Sequence, residues 1–358
     1  MSGSIDKLTN GILYVAARNG LDMGSTSIDS PSFPNVYDNL VVKHGNSFLA
    51  IGIHNSDVTE KGIKSLENAK VTILDNREES IFSLKEKLDH GRENVLFVES
   101  ELDDLCTSPK LLDTLFQKEK ISDCKQYKKF QADIYKESIS NPILPNDSQD
   151  AVLLDMALNR LSPKRAERLL EECFRVMRKG GKLYIKILLS DEDSKLIVDR
   201  LEYIPREDEV VSLLEQCGFY GINFVQRADL PSKVINSIEM RIFVLEAYKG
   251  KQGTCFDLGH AVIYKGPWQE VKDDDHHTYR RGERTAVCEK TFKILSNLPY
   301  SQDFFFLAPY SNSNKGEAPL FDCNTPGIRD PKVTKGLKVI SDTKTNCCQS
   351  SQGKSCCC

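Results

Sequence analysis

DAVLLDMALNRLSPKRAERLLEECFRVMRKGGKLYIKILL, residues 150–189, is the stretch that decides the fold. Its opening run, Asp150 to Asp155, is too continuously apolar to leave one face in water, so it reads as a strand covered on both sides. Ser162-Pro163 then opens a helix, with Ser as the N-cap and Pro in the first turn. That helix is expected to run to Arg178 and to stop at Lys179-Gly180-Gly181, where glycine accepts the left-handed cap. KLYIKILL follows as a second buried strand.

Working upstream, the same alternation begins at Ser47. SFLAIGI is a short apolar run, followed by a helical stretch around Val58 to Leu66. KVTILD is a second strand ending at Asp75. Ile81, Leu84 and Leu88 then mark one face of a helix, and NVLFVES (Asn94 to Ser100) is a third strand. Strand and helix alternating at this spacing imply βαβ units on a parallel sheet. A charged segment, roughly residues 103–147, interrupts the pattern as an insertion able to hold one or two helices. Residues 1–44 show no period and are read as irregular, with a candidate strand at Gly11 to Ala16.

Downstream, Pro205 opens a helix through Val210, Leu213, Leu214 and Cys217, ended by Gly218. INFVQR and MRIFVLEAYK follow without a full helix between them, so the sheet ends in an antiparallel pair. The first domain therefore spans residues 45–250. Residues 251–333 read as a small β-rich domain whose core Trp268 is expected to anchor. Residues 334–358 are polar and too poor in apolar groups to fold alone, a disordered Cys-rich tail.

Composition narrows the class. The chain has 358 residues, 40% hydrophobic and 28% charged, with a net charge of -4, which argues against a nucleic-acid or membrane-surface binder. No apolar run is long enough to span a bilayer and no signal peptide is visible at the start. A cytoplasmic location with reduced thiols follows as the expectation. Five of the twelve cysteines fall in the last twelve residues: Cys347, Cys348, Cys356, Cys357 and Cys358.

Residues 150–189 resemble the second half of a class I S-adenosylmethionine-dependent methyltransferase, with FRVMRKGG (Phe174 to Gly181) standing for that family's R-V-L-K-P-G-G. The likeness narrows to arsenite methyltransferases through YKGPWQEV, YRRGERTAVCEKTFKILSNLPYSQDFFFLAPY and the cysteine-terminated end. It covers about residues 47–310 and, more loosely, the tail. The fold implied is a Rossmann-like class I methyltransferase sheet with a small C-terminal β-rich domain. The activity implied is methyl transfer from S-adenosylmethionine to As(III), held by thiolates because a soft centre prefers sulfur. The resemblance puts the cofactor turn at Gly52 and His54. It puts the ribose-binding acid at Asp75 and the residue near the adenine at Glu99 or Glu101.

The departures define an alternative. The family's turn carries three glycines, whereas Ile51-Gly52-Ile53-His54-Asn55-Ser56-Asp57 keeps only Gly52. The family's thiol after the fourth strand aligns with Met156, and no cysteine precedes Cys106. The competing reading is a non-catalytic scaffold that binds As(III), another soft metal or a protein partner. Its metal ligands would be the five terminal cysteines, which lack the C-x-x-C pairing of a rigid site. The competing reading of Asp75 itself is a strand-end carboxylate capping the next helix. Cys173 and Cys217 read as core, Cys288 as half-buried in a strand, and Cys255 and Cys323 as loop thiols. Asp273-Asp274-Asp275-His276-His277 reads as a solvated turn.

Overall fold

The computed structural model describes residues 35–42, 45–66, 68–88, 94–118, 121–193, 201–250, 253–297, 299–310, 318–324 and 327–340. The candidate strand at Gly11 to Ala16 and the five terminal cysteines lie outside the described residues. The chain divides into two compact units, residues 1–249 and 250–358.

In the first unit, β1 (Ser47–Ile51), α1 (Ser56–Lys64), β2 (Lys70–Asp75), α2 (Glu78–Lys87) and β3 (Val95–Glu99) form the first βαβαβ run. The insertion holds two helices, α3 (Pro109–Lys118) and α4 (Cys124–Ser140). The alternation then resumes with β4 (Gln149–Asp155), α5 (Pro163–Val176), β5 (Met177–Ser190) and α6 (Glu207–Gln216). β6 (Phe219–Arg227), β7 (Lys233–Ile235) and β8 (Ile238–Lys249) close the unit. The sheet order is β3-β2-β1-β4-β5-β8-β6, with β7 pairing β8. β1 to β5 run parallel, and β8 is antiparallel to both β5 and β6. This is the Rossmann-like class I methyltransferase fold that the sequence led us to expect, a parallel sheet ending in an antiparallel pair.

Both faces of the sheet are covered, which is why its strands are apolar throughout rather than alternating. On one side Leu49, Ile51, Val152 and Leu154 pack with Ala166, Leu169, Leu170 and Cys173 of α5 and with Val210 and Leu214 of α6. On the other, Phe48, Ala50, Val71 and Ile73 meet Ile63 of α1 and Ile81 and Leu84 of α2. Val36 and Tyr37, in a 3-10 turn at Val36–Asn39, join that second core, so the end of the N-terminal segment is packed.

Two local expectations change. The helix from Pro163 ends at Val176, before the glycines, with the Met177 amide donating to the Cys173 carbonyl. Gly180 (φ +75°) and Gly181 instead shape the bulged start of β5, where the register slips between Gln149 and Ala151. A Cβ on Gly181 would stand 2.8 Å from the Arg178 carbonyl oxygen.

In the second unit, β9 (Ala261–Tyr264), β10 (Glu270–Lys272), β11 (Thr278–Arg280) and β12 (Arg284–Ala286) precede α7 (Glu289–Leu295). β13 (Phe304–Leu307) and α8 (Pro331–Thr334) complete it. The order β12-β9-β13 makes a small antiparallel sheet beside the β10-β11 hairpin. Its core is Val262, Tyr264, Tyr279, Val287, Leu295 and Phe304. Trp268 does not anchor it: the side chain is 69% exposed, and Tyr264, Tyr279 and Phe304, packed tilted and edge to face, take that place. Thr334 is buried and accepts a hydrogen bond from Arg284 Nη1, so packing continues past residue 333.

Candidate functional site

Open parallel sheets place ligands beyond the carboxyl ends of their strands. Here the ends of β1, β2 and β4 bring Gly52, Asp75 and Met156 together. Gly52 follows β1 at φ +86°, and its amide donates to the Leu74 carbonyl at 2.9 Å. A Cβ there would lie 2.7 Å from the Asp155 carbonyl oxygen, so glycine is needed for the close approach of β4. The next residues do not form an open cradle. Ile53 is buried, and Asn55 is the N-cap of α1, accepting from the amides of Asp57 and Val58. His54 is half-buried in the turn between them. Glu99 is exposed at the end of β3, directly opposite Asp75 in the register. Glu101 is turned to another task, an ion pair with Arg165 at 2.7 Å.

Asp75 is fully buried and its carboxylate is fully engaged within the chain. Oδ2 accepts from the Ile53 amide at 2.6 Å and from Arg160 Nη1 at 2.8 Å. Oδ1 accepts from the Arg77 amide at 2.9 Å, Arg77 Nε at 3.2 Å and Arg160 Nη2 at 2.9 Å. Arg77 also donates to the Ile53 carbonyl and Arg160 to Asn76 Oδ1. Burial by itself pushes the Asp75 carboxyl up. The hydrogen bonds from Arg160 and Arg77, the Arg160 charge and the Ile53 amide outweigh it and hold the pKa at about 2.

Arg160 is the residue the sequence did not flag. It sits in a 3-10 turn, Leu158–Arg160, after β4, and reaches a partner 85 positions away. Its fork closes on the carboxylate bidentately, the strongest geometry a guanidinium offers. A ribose diol would need those same oxygens. Asp75 has none to give while Arg160 and Arg77 hold it, and Ile53, His54 and Asn55 stand in the turn where the resemblance implies glycines. The residues present do not fit S-adenosylmethionine in this arrangement. Met156, buried at φ +58°, presents a thioether where the resemblance implied a thiolate.

The insertion builds a second concavity. Asp103, buried, is held by Arg165 and Arg168 of α5, and these charges pull its carboxyl below the usual range although burial pushes it up. With Cys106, Tyr135, Ile139 and Glu172 they line a cavity of about 690 Å³. The Cys106 thiol is pushed up to about 11, by burial first and by the Glu172 charge.

In the second unit, Cys255, Cys288 and Cys323 converge, with their sulfurs all within 4.8 Å of one another. Cys288 is not in a strand: it is the N-cap of α7, completely buried, and its sulfur accepts from the Thr291 amide at 3.4 Å. Hydrogen bonds from Cys255 and Cys323 hold its thiol below the usual range, against the effect of burial. Asp273, by contrast, is absorbed into its own turn, accepting from His277 and from the Tyr279 hydroxyl at 2.6 Å. Cys173 is buried core as expected.

Comparison with known proteins finds a methyltransferase likeness in part of the first unit and a family of unknown function in the second. Residues 100–185 match a family described as a methyltransferase domain. Residues 251–339 match one described as a domain of unknown function (DUF8838). An arsenite methyltransferase of Aquipseudomonas alcaligenes is 25% identical over 209 residues, covering 49% of this chain and 56% of the relative. The match thus spans just over half the length of that curated relative. Among solved structures, an arsenic(III) S-adenosylmethionine methyltransferase from Chlamydomonas reinhardtii aligns at 16% identity and TM-score 0.41. It covers 87% of this chain and 98% of that one. A 1,6-didemethyltoxoflavin-N1-methyltransferase from Burkholderia thailandensis aligns at 16% identity and TM-score 0.42, covering 70% and 90%. Among the described residues, no helix is long and apolar enough to cross a membrane.

Proposed function

Starting from an arsenite-methyltransferase-like chain on a class I methyltransferase sheet, we propose that it has exchanged methyl transfer for capture of As(III) or a similarly thiophilic ion. The observation that carries this reading is the saturated carboxylate of Asp75. Arg160 and Arg77 occupy both oxygens from within the chain, and only one glycine of the cofactor turn remains. Thiols supply the capture chemistry. The tail cysteines Cys347, Cys348, Cys356, Cys357 and Cys358 are proposed as one set of ligands, brought to the ion from a terminal segment.

The second reading retains methyl transfer. It is favoured by the matched methyltransferase domain and by an acidic residue at the end of β2, beside Glu99. On that reading S-adenosylmethionine binds after Arg160 and Arg77 swing away from Asp75, and As(III) is the acceptor.

Calorimetric titration of S-adenosylmethionine into the full chain separates the two. Capture without methyl transfer expects no binding tighter than about millimolar, less than roughly 4 kcal/mol. Micromolar binding would sink it in favour of the methyltransferase. A parallel As(III) titration compares the full chain with one stopped at Asn346. Equal affinity would remove the tail from the ligand set.

A further inference from the structure

The sulfurs of Cys255, Cys288 and Cys323 converge from three separate segments of the second unit, more than thirty residues apart in each case. Backbone pairing fixes how they meet. The Phe321 amide donates to the Cys255 carbonyl at 3.0 Å, and the Asp257 amide to the Pro319 carbonyl at 2.8 Å. Phe256 bridges Leu320, tying the Cys255 and Cys323 segments side by side. The Glu289 amide donates to the Phe256 carbonyl, bringing the start of α7 against the same strand-like pair. The three thiols are therefore held together by the chain around them and do not depend on an ion to meet.

We propose that Cys255, Cys288 and Cys323 form a buried trithiolate site that binds one thiophilic ion, zinc(II) or As(III), in the second unit. The inference deepens the capture reading by naming an internal ligand set, and it holds whether or not the tail participates. Cys255 and Cys288 are at most 4% exposed and Cys323 is half-buried, so an ion among them is shielded from water on the Cys255 and Cys288 side. The Thr291 amide and hydroxyl both reach the Cys288 sulfur, at 3.4 and 3.3 Å. Such hydrogen bonds to a ligating sulfur orient it and stabilise its anionic form.

Charge and coordination separate the two ions. Three thiolates neutralise a trivalent centre, which suits a buried site, and the lone pair of As(III) fills the fourth position. Arsenous acid exchanges its three hydroxyls for the three sulfurs. Three As–S bonds form and three As–O bonds break, and each thiol proton leaves with a hydroxyl as water, without change of oxidation state. Zinc(II) displaces the three protons into solvent and seeks a fourth donor.

The test uses the full chain with its five terminal cysteines changed to serine, kept reduced. It is loaded separately with zinc(II) and with arsenite, desalted, and its bound ion counted by mass spectrometry. One ion per chain is expected for at least one of the two. X-ray absorption at the edge of the retained ion should show three sulfur neighbours. Cys323→Ser and Cys288→Ser should each lower retention at least tenfold. No retained ion from either probe, or a shell of oxygen and nitrogen only, overturns the site. The absorption spectrum needs no variant, so it decides the matter even where a serine substitution prevents folding. S-adenosylmethionine titration of the same protein reports separately on the cofactor cleft, so the failure of one reading is distinguishable from the failure of the other.

Discussion

Asp75 concentrates the electrostatics of the first unit on one buried carboxylate. A carboxyl whose pKa falls on folding, here from 3.8 to about 2, stabilises the fold above its unfolded value and loses that contribution as pH drops through about 2. The difference is worth roughly 2 kcal/mol at neutral pH, Arg77 supplying the lesser part because it is 43% exposed. Asp75→Asn should therefore destabilise the first unit by at least about 2 kcal/mol at pH 7, since it also strands Arg160 beside a neutral partner. Urea midpoints at pH 7, 4 and 2.5 should show the gap between wild type and variant narrowing between pH 4 and 2. A gap that stays constant would mean that the ion pairs contribute nothing. Gly52→Ala is the companion test. Its φ of +86° and the Asp155 carbonyl at 2.7 Å from the new Cβ predict a loss of about 1–3 kcal/mol by the same urea assay. At this scale the sequence is informative only where local pattern speaks. Asp75 was legible because it ends a strand. Arg160 was not, because nothing near position 160 reveals a partner 85 residues away. Cys255, Cys288 and Cys323 stayed unlinked for the same reason, having no C-x-x-C spacing to join them.

Helices and strands were more legible, because periodicity and burial are properties of a segment. The runs ending at Ile51, Asp75, Glu99, Asp155 and Ser190 are the parallel strands, and the antiparallel close at β6 and β8 followed from the missing helix between them. The errors fall where two elements compete for one signal. Gly180-Gly181 looks like a helix stop, yet these glycines lie in the bulged opening of β5 and the helix has already ended at Val176. Trp268 looks like an anchor, yet tyrosine and phenylalanine on β9, β11 and β13 already fill the small core. Element packing also reverses a propensity argument at Gly62. Alanine in the last turn of α1 should favour the helix by up to about 1 kcal/mol. Its Cβ, however, would stand 2.0 Å from Tyr37 Cδ1, in the 3-10 turn that seals the second core. Expelling that buried ring loses more than the helix gains, about 2 kcal/mol. Gly62→Ala should thus lower stability by about 1 kcal/mol or more in thermal unfolding. A stabilised variant would show that Tyr37 does not hold this position.

Among the described residues, the large sheet of the first unit has its own buried layers and the second unit has a small cluster around β9, β11 and β13. Separate cores allow separate unfolding, and a ligand stabilises only the unit that binds it. The proposals above assign opposite behaviour to the two units. An ion held by Cys255, Cys288 and Cys323 stabilises residues 250–358 by about 2.7 kcal/mol when present at a hundred times its dissociation constant. On the capture reading, S-adenosylmethionine leaves residues 1–249 where they were. Differential scanning calorimetry of the chain carrying serine at its five terminal cysteines should accordingly resolve two transitions. Zinc(II) or arsenite should raise one of them by several degrees, and millimolar S-adenosylmethionine should move neither. The shifted transition is identified by hydrogen exchange, with slowed amides expected around Phe256, Cys288 and Phe321. A cofactor-induced rise of the other transition would restore methyl transfer to the first unit. A shift of both transitions by the ion would locate its ligands outside the trithiolate.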